Sequence, residues 1–148
     1  MGRISSRNDR KEFSEERLTM ENICRKVRDY YSQKEYCGKY MDEHCAIASY
    51  KLFEELKQAN YSPALVVGEF PEFGHCWIEL DGKVVDITAQ QFLNSLPEIL
   101  IENINNYFCV MNKSMYEFNN GCVTKFKNKY SFKKYLKNQG WPNHQLPP

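Results

Sequence analysis

Three residues of different chemical type, Cys45, His75 and Asp86, follow one another in an order that suits nucleophilic catalysis. A cysteine attacks carbonyl carbons as the thiolate, and a neighbouring imidazolium stabilises the thiolate and later protonates the leaving group. A carboxylate beside the imidazole fixes its tautomer and stabilises its positive charge. We therefore predict that Cys45 is the nucleophile, that His75 is the acid and base, and that Asp86 orients His75.

The helix that must carry Cys45 has the clearest periodicity in the chain. Residues at helical spacing form one continuous face: Cys45, Ala48, Ser49, Leu52, Phe53 and Leu56. Asp42 and Glu43 lie just upstream, where acidic groups suit a helix N-terminus. Asn60, with Pro63 beyond it, ends the helix. Cys45 is then in the first turn, on the side that faces the protein, and the amides of that turn suit a developing oxyanion.

His75 and Asp86 lie on a predicted β-hairpin. The dipeptide Asp81-Gly82 between two strand-like runs is a strong signal for a two-residue turn. This turn sets Ile78 opposite Val85 and makes His75 and Asp86 diagonal neighbours on one face. Their backbones are then about 7–8 Å apart, within reach of an imidazole–carboxylate hydrogen bond. A slip of one residue would place the two side chains on opposite faces.

The two faces of the hairpin differ in composition. The predicted core face carries Cys76, Ile78, Leu80, Val85 and Ile87. The other face is polar and aromatic and carries His75, Trp77, Glu79, Val84, Asp86 and Thr88. Trp77 is either a packing residue or an apolar lid beside the thiol, and we predict the lid. Gln90 and Gln91 lie just past the strand of the acid, and either is a candidate for lining the substrate cleft, with Gln90 as the predicted substrate-binding residue. The alternative for Gln90 and Gln91 is a plain position at a helix start.

Around these residues the sequence resembles a known enzyme family. The segments CAIASYKLFEEL, ALVVGEF and GHCWIELDGKVVDITAQQF, between Cys45 and Phe92, resemble the core of the transglutaminase-like branch of the papain-like cysteine-enzyme superfamily. In that family a cysteine opens a helix packed on an antiparallel sheet. A strand motif of the type G-H-x-W-[IV]-E provides the histidine, and the next strand ends in the acid, often as D-x-T.

This resemblance implies a papain-like core with Cys45, His75 and Asp86 as a catalytic triad. The family includes peptidases, amidases, bacterial deamidases and arylamine acetyltransferases, and some members have lost the nucleophile. The similar segments cover about one-third of the chain, and the flanking sequence carries no motif of a named family.

The rest of the chain predicts an α+β domain in which N-terminal helices pack on a mainly antiparallel sheet. Strands are predicted at 64–70, 75–80, 83–88, 107–111, 115–118 and 122–126, and further helices at 16–33 and 91–102. Ser131 is predicted to cap a last short helix that ends at Leu136. Residues 1–15 are interpreted as a flexible arm, followed by a single domain over residues 16–148.

Composition excludes several classes of protein. The chain has 148 residues, 42% of them hydrophobic, with 10 Tyr, 9 Phe and 2 Trp. A chain of this size can bury a core without a metal or a disulfide, and disordered, collagen-like and low-complexity classes do not fit. No apolar run approaches the roughly 18 to 20 residues that a membrane span needs, and the first twenty residues lack the apolar stretch of a secretory signal. We therefore predict a soluble, cytoplasmic protein.

The six cysteines do not form a metal-binding pattern. No C-x-x-C pair is present, and His75 and Cys76 point to opposite faces of a strand, so at most one of them could bind a metal. His44 adjoins Cys45 and is predicted to be an exposed residue before the helix. Free thiols are expected in preference to three disulfides. No metal and no cofactor are predicted.

Charge is distributed unevenly along the chain. Residues 45–121 hold 4 Lys and Arg against 10 Asp and Glu, whereas residues 122–148 hold 6 Lys and no acidic residue. The Lys-rich segment either folds back over an acidic body or forms a patch for nucleic acid or an acidic partner. Because the net charge is only +1, long-range attraction to a phosphate backbone is not expected, and nucleic acid is an improbable partner.

Two functions from different classes follow. The leading hypothesis is a cysteine-dependent acyl-transfer enzyme, a peptidase, amidase or deamidase, that acts on a protein, a peptide or a small amide or ester through an acyl-enzyme. The alternative is a non-catalytic module that binds nucleic acid or a protein through residues 122–148. A modifier directed at one macromolecule is a third, weaker hypothesis.

Overall fold

The computed structural model describes residues 19–31 and 44–148. Helix α1 covers residues 19–31 of this part, and the later elements are α2 (Cys45–Gln58), β1 (Ala64–Glu69), β2 (Gly74–Leu80), β3 (Lys83–Asp86), β4 (Leu100–Asn103), α3 (Ile104–Met111), β5 (Cys122–Phe126) and α4 (Lys129–Asn138). Short 3₁₀ helices lie at Ala89–Gln91 and Asn143–Gln145. The predicted α+β class is confirmed. The predicted arm over residues 1–15 lies outside the described residues.

The five strands form one antiparallel sheet in the order β4-β3-β2-β1-β5, with β2 at its centre. The predicted hairpin register is confirmed, because Ile78 is paired with Val85. Asp81 and Gly82 have φ angles of 52° and 77°, the left-handed conformation that a tight hairpin turn of this type requires. The turn therefore fixes which residues of β2 and β3 share a face.

Helices cover the sheet on both faces. Helices α1, α2 and α4 contribute to one apolar core, together with alternate residues of β1, β2 and β3. Within α2 the predicted stripe is buried, since Ala48, Leu52, Phe53 and Leu56 are at most 3% exposed. A second core on the other face joins Trp77 and its strand neighbours to α3. Both faces of the hairpin are consequently buried, including the polar and aromatic face that carries His75, Asp86 and Thr88.

The predictions beyond residue 90 are partly wrong. In place of a helix over 91–102 the chain forms the 3₁₀ helix Ala89–Gln91 and then β4, which pairs with β3. The predicted strand at 107–111 is part of α3, and no strand forms at 115–118. A short apolar run does not distinguish a strand from a helix, and burial of Tyr107 and Met111, four residues apart, selects the helix. The predicted strand over 122–126 is confirmed as β5.

Helix α4 begins earlier than predicted and has a different cap. Oδ1 of Asn128 accepts hydrogen bonds from the backbone N–H groups of Tyr130 (2.8 Å) and Ser131 (3.0 Å). Asparagine is a preferred N-cap residue because its side chain satisfies amides that have no partner within the helix. Ser131 lies inside the helix and is not the cap. Among the described residues, no helix has the length and apolar character that crossing a bilayer requires.

Candidate active site

Cys45 is the first residue of α2 and is only 5% exposed. The N-terminal end of a helix favours a thiolate because its unpaired amides carry partial positive charge. His44, which precedes the helix, is 6% exposed, so the prediction that it is exposed is wrong: the start of α2 is packed into the protein. Asp42 and Glu43 lie outside the described residues.

His75 and Asp86 meet on the face of the sheet that α3 covers. Nε2 of His75 lies 2.7 Å from Oδ2 of Asp86, and both side chains are buried. The hydrogen bond expected from the hairpin register is therefore present. His75 stands at the start of β2 and Asp86 at the end of β3, so the two residues lie at the same end of the sheet.

The carboxylate of Asp86 has a partner for each of its oxygens. Oδ1 accepts hydrogen bonds from the backbone N–H of Thr88 (2.9 Å) and from its hydroxyl (3.3 Å). Oδ2, which contacts His75, also accepts a hydrogen bond from the hydroxyl of Tyr107 at 2.7 Å. A buried carboxylate needs such donors to offset the loss of water. These contacts also prevent it from rotating away from the imidazole.

Charge and hydrogen bonding, not burial, decide the protonation states of this pair. Burial lowers the pKa of His75, but attraction to Asp86, hydrogen bonding to Asp86 and hydrogen bonding to Cys45 outweigh it and raise that pKa from 6.5 to about 9. Burial raises the pKa of Asp86, yet the charge of His75 and hydrogen bonds from His75, Tyr107 and Thr88 bring it below its ordinary value. Both shifts favour the charged forms of the two groups, an imidazolium and a carboxylate.

The pKa of Cys45 is lowered, whereas burial by itself raises the pKa of a thiol. A hydrogen bond from the side chain of Cys76 has the largest effect and lowers the pKa of Cys45. Burial opposes this by raising the pKa. Hydrogen bonding to His75 and electrostatic attraction to its positive charge lower the pKa further. The result is a pKa well below the usual value of 9.0. Burial and the neighbouring Cys45 raise the pKa of Cys76 well above that value. Of these two neighbouring thiols, Cys45 is the one whose thiolate is favoured, and His75 is one of the groups that favour it.

Gln91, and not Gln90, contacts the imidazole. Nε2 of Gln91 lies 3.2 Å from Nδ1 of His75 and 3.3 Å from the hydroxyl oxygen of Thr88. Gln90 instead accepts a hydrogen bond from Arg28 (2.9 Å) and donates one to the carbonyl of Leu96 (2.8 Å). Neighbours on a 3₁₀ helix point about 120° apart, so only one of the two glutamines can face His75. Gln90 therefore connects this segment to α1, and its contact with substrate stays a prediction.

The aromatic residues around His75 divide into a buried and a more accessible group. Trp77 is 1% exposed and packs between His75 (5.7 Å between ring centroids) and Tyr107 (5.3 Å). It is a packing residue behind the imidazole, not a lid over the thiol. Phe92 is only half-buried and lies 4.6 Å from the imidazole, edge to face. Phe92 is more accessible than Trp77 and Phe118, the other aromatic rings near His75.

Tyr107 and Phe92 are the site residues that sequence reasoning missed. Tyr107 lies in a segment predicted as a strand and is 21 positions from Asp86. No local sequence pattern indicates that Tyr107 contacts the hairpin. Phe92 ends the segment that resembles the enzyme family, but its contact with His75 depends on the turn of the Ala89–Gln91 helix. Within the described part of the chain no group of three or more metal-binding side chains is assembled.

Comparisons with known proteins identify no relative. No protein-family model, no curated protein and no solved structure matches this chain. The chemistry of the site is therefore inferred from the contacts among Cys45, His75 and Asp86 themselves.

Proposed function

We propose that this protein is a cysteine-dependent acyl-transfer enzyme of the transglutaminase-like type. The observation that carries the proposal is a buried imidazole, His75, hydrogen-bonded to the Asp86 carboxylate and near enough to the buried Cys45 thiol to lower its pKa. This arrangement stabilises a thiolate–imidazolium pair at neutral pH, which is the reactive state of a cysteine nucleophile. The substrate class is an amide, an ester or a thioester of a peptide, protein or small molecule.

In the first half-reaction the Cys45 thiolate attacks the carbonyl carbon, and the carbonyl π electrons move onto oxygen. The first backbone bond of α2 runs from the Ala48 N–H to the His44 carbonyl, so the earlier amides of this turn are not used within the helix. They are suited to receive the oxyanion. When the intermediate collapses, the bond to the leaving group breaks and His75 gives its proton to the departing nitrogen, oxygen or sulfur. The product is a thioester on Cys45.

In the second half-reaction the neutral His75 removes a proton from water or from an amine. The resulting nucleophile attacks the thioester, and Cys45 leaves as the thiolate. Water gives hydrolysis or deamidation, whereas an amine gives acyl transfer. Asp86 keeps the imidazole oriented and stabilises its positive charge in both halves.

The sequence resemblance supports the same proposal. The motif Gly74-His75-Cys76-Trp77-Ile78-Glu79 and the motif Asp86-Ile87-Thr88 correspond to the family pattern, and Thr88 donates two hydrogen bonds to the acid. We include the papain-like identity of the core and a cytoplasmic location in the proposal.

The Lys-rich segment supports the alternative binding function less well. Nζ of Lys129 lies 2.8 Å from Glu54, and Nζ of Lys125 lies 2.8 Å from Glu79, so two of the lysines pair with the acidic part of the chain. Phe132 and Leu136 of α4 are fully buried. The segment is therefore part of the folded body, and its charge is partly neutralised, which leaves less for a phosphate backbone.

Alkylation by iodoacetamide between pH 5 and pH 9, followed site by site by mass spectrometry, tests the proposal. We expect Cys45 to react faster at pH 6 than the exposed Cys109 and Cys122, because its lowered pKa favours the reactive thiolate. The variant His75→Gln should lose this advantage by about tenfold or more. The internal control is the rate at Cys109, which should be equal in both proteins. If Cys45 reacts no faster than Cys109 at pH 6, and His75→Gln changes nothing, the enzyme proposal is wrong.

A further inference from the structure

A cavity of about 290 Å³ opens beside the start of β2, next to the proposed active site. Its lining includes Glu69, Phe73, Gly74, Trp141 and Gln145. Gly74 directly precedes His75 on the strand. Phe73 is also in contact with Phe92 (5.1 Å between ring centroids), the aromatic residue that lies against His75. Phe73 and Phe92 therefore connect the wall of the cavity to the imidazole.

Two aromatic side chains form walls of the cavity, and packing holds both in place. A Cβ atom at Gly74 would lie 2.5 Å from Cζ2 of Trp141, so only glycine lets the indole rest against the strand. Phe73 stacks on Phe70 with 4.9 Å between centroids and 24° between planes. Aromatic faces attract cations through their quadrupole, and most strongly when the cation is partly shielded from water.

Glu69 supplies negative charge to the same cavity. It is half-buried at the end of β1, and one of its carboxylate oxygens accepts a hydrogen bond from the hydroxyl of Tyr135. Within residues 19–31 and 44–148, no lysine, arginine or histidine forms an ion pair with Glu69. A carboxylate that lines the same cavity as two aromatic rings, with a neutral hydroxyl as its protein partner, is complementary to a cation.

We propose that this cavity binds the guanidinium group of an arginine side chain in a peptide substrate. The inference rests on the proposed function, because the peptide is the molecule whose carbonyl group Cys45 would attack. A guanidinium is planar, permanently charged and weakly hydrated, so it stacks on aromatic rings and at the same time pairs with a carboxylate. A neutral side chain would leave Glu69 without a counter-charge, and an acidic one would be repelled.

Binding is measured on the variant Cys45→Ala, which cannot turn over substrate, by two-dimensional ¹H–¹⁵N NMR. The probes are Nα-acetyl-L-arginine methylamide and the corresponding citrulline derivative, a neutral molecule of nearly the same shape. The chain has only 2 Trp, so the Trp141 indole signal is assigned by its loss in Trp141→Phe. We expect the arginine derivative to shift this signal saturably, with at least fivefold higher affinity than the citrulline derivative. Equal affinity of the two probes, or no saturable shift, overturns the proposal.

Two glutamate variants test whether the charge of Glu69 causes the preference for arginine over citrulline. In the Cys45→Ala background, Glu69→Gln should remove the preference for arginine over citrulline. Glu72→Gln changes an exposed glutamate in the neighbouring turn and should keep that preference. A preference that survives Glu69→Gln, or that is lost equally in Glu72→Gln, contradicts the assignment.

This measurement separates the two proposals. Arginine binding at the cavity together with an unreactive Cys45 would reject the enzyme and retain the cationic site. A reactive Cys45 together with equal binding of both probes would retain the enzyme and reject arginine as the recognised side chain.

Discussion

The hydroxyl of Tyr107 and the imidazole of His75 bind the same oxygen of one carboxylate. Oδ2 of Asp86 lies 2.7 Å from each of them, and all three side chains are buried. Tyr107 belongs to α3, whereas His75 and Asp86 belong to the central hairpin. The helix that covers this face of the sheet therefore also positions the acid of the proposed triad.

Replacing Tyr107 by phenylalanine tests this shared hydrogen bond. Burial and the nearby Asp86 raise the pKa of Tyr107 well above its ordinary value, so the hydroxyl remains a donor at any working pH. Tyr107→Phe should lower the free energy of unfolding by about 2 kcal/mol, the usual size for a hydrogen bond to a charged group. Urea denaturation followed by tryptophan fluorescence measures the change.

Tyr116→Phe provides the matched control, because Tyr116 is 41% exposed and its ring is also part of the aromatic cluster near His75. Its effect on unfolding should stay within about 0.5 kcal/mol. Equal losses in the two variants would mean that the Tyr107 hydroxyl contributes nothing beyond an ordinary surface change.

The pairing of His75 with Asp86 predicts how stability depends on pH once the thiol is removed. In Cys45→Ala the strongest causes of the raised pKa remain, because attraction and hydrogen bonding to Asp86 rank above the contacts with Cys45. A histidine whose pKa is raised on folding stabilises the protein fully below its unfolded value of 6.5. That contribution is lost as the pH rises through the higher pKa of the folded state.

The free energy of unfolding of Cys45→Ala should therefore fall between about pH 6.5 and pH 9. The double variant Cys45→Ala/His75→Gln lacks the titrating ring and should not show this fall. Urea denaturation at four pH values compares the two proteins. Parallel pH profiles would indicate that His75 titrates in the folded protein as it does in the unfolded chain.

The close contact between Gly74 and Trp141 predicts that a larger side chain at position 74 destabilises the protein. In Gly74→Ala the new methyl group would lie 2.5 Å from Cζ2 of Trp141, so the indole must move. We expect a loss of about 1–3 kcal/mol in the free energy of unfolding, the usual cost of overpacking. Thermal or urea denaturation gives the value.

A double-mutant cycle assigns that loss to the contact. A phenylalanine ring at position 141 is smaller than an indole, so Trp141→Phe should reduce the cost of Gly74→Ala. The double variant is then more stable than the sum of the two single losses predicts. Strict additivity would show that Gly74 and Trp141 do not interact energetically.

Much of the hairpin and of helix α2 followed from local sequence. The Asp81-Gly82 turn determined which residues of β2 and β3 are paired, since a two-residue turn permits one register. The apolar period of 3.6 residues placed Cys45 at the start of α2 on its inward side. These signals act over a few residues, so they can be interpreted without knowing the rest of the fold.

The same reasoning was wrong where the signal was short or depended on distant partners. The run from Tyr107 to Met111 is apolar without a clear period, and packing against the sheet made it a helix. Trp77 was predicted to be an apolar lid beside the thiol rather than a packing residue. The covering helix α3 buried its face of the hairpin, and with it the whole His75–Asp86 pair.

The sequence by itself determined the identities and the pairing of the residues that can do chemistry: a thiol at a helix start, and an imidazole and a carboxylate on one face of a hairpin. Only the tertiary structure decided that Tyr107 shares the carboxylate, that Gln91 and not Gln90 reaches the imidazole, and that Trp141 and Glu69 border a cavity beside them. The physical reason is the distance along the chain over which each effect acts. Turn and helix signals are properties of neighbouring residues, whereas burial, and the pKa shifts that follow from it, arise only when segments far apart in the chain exclude water together.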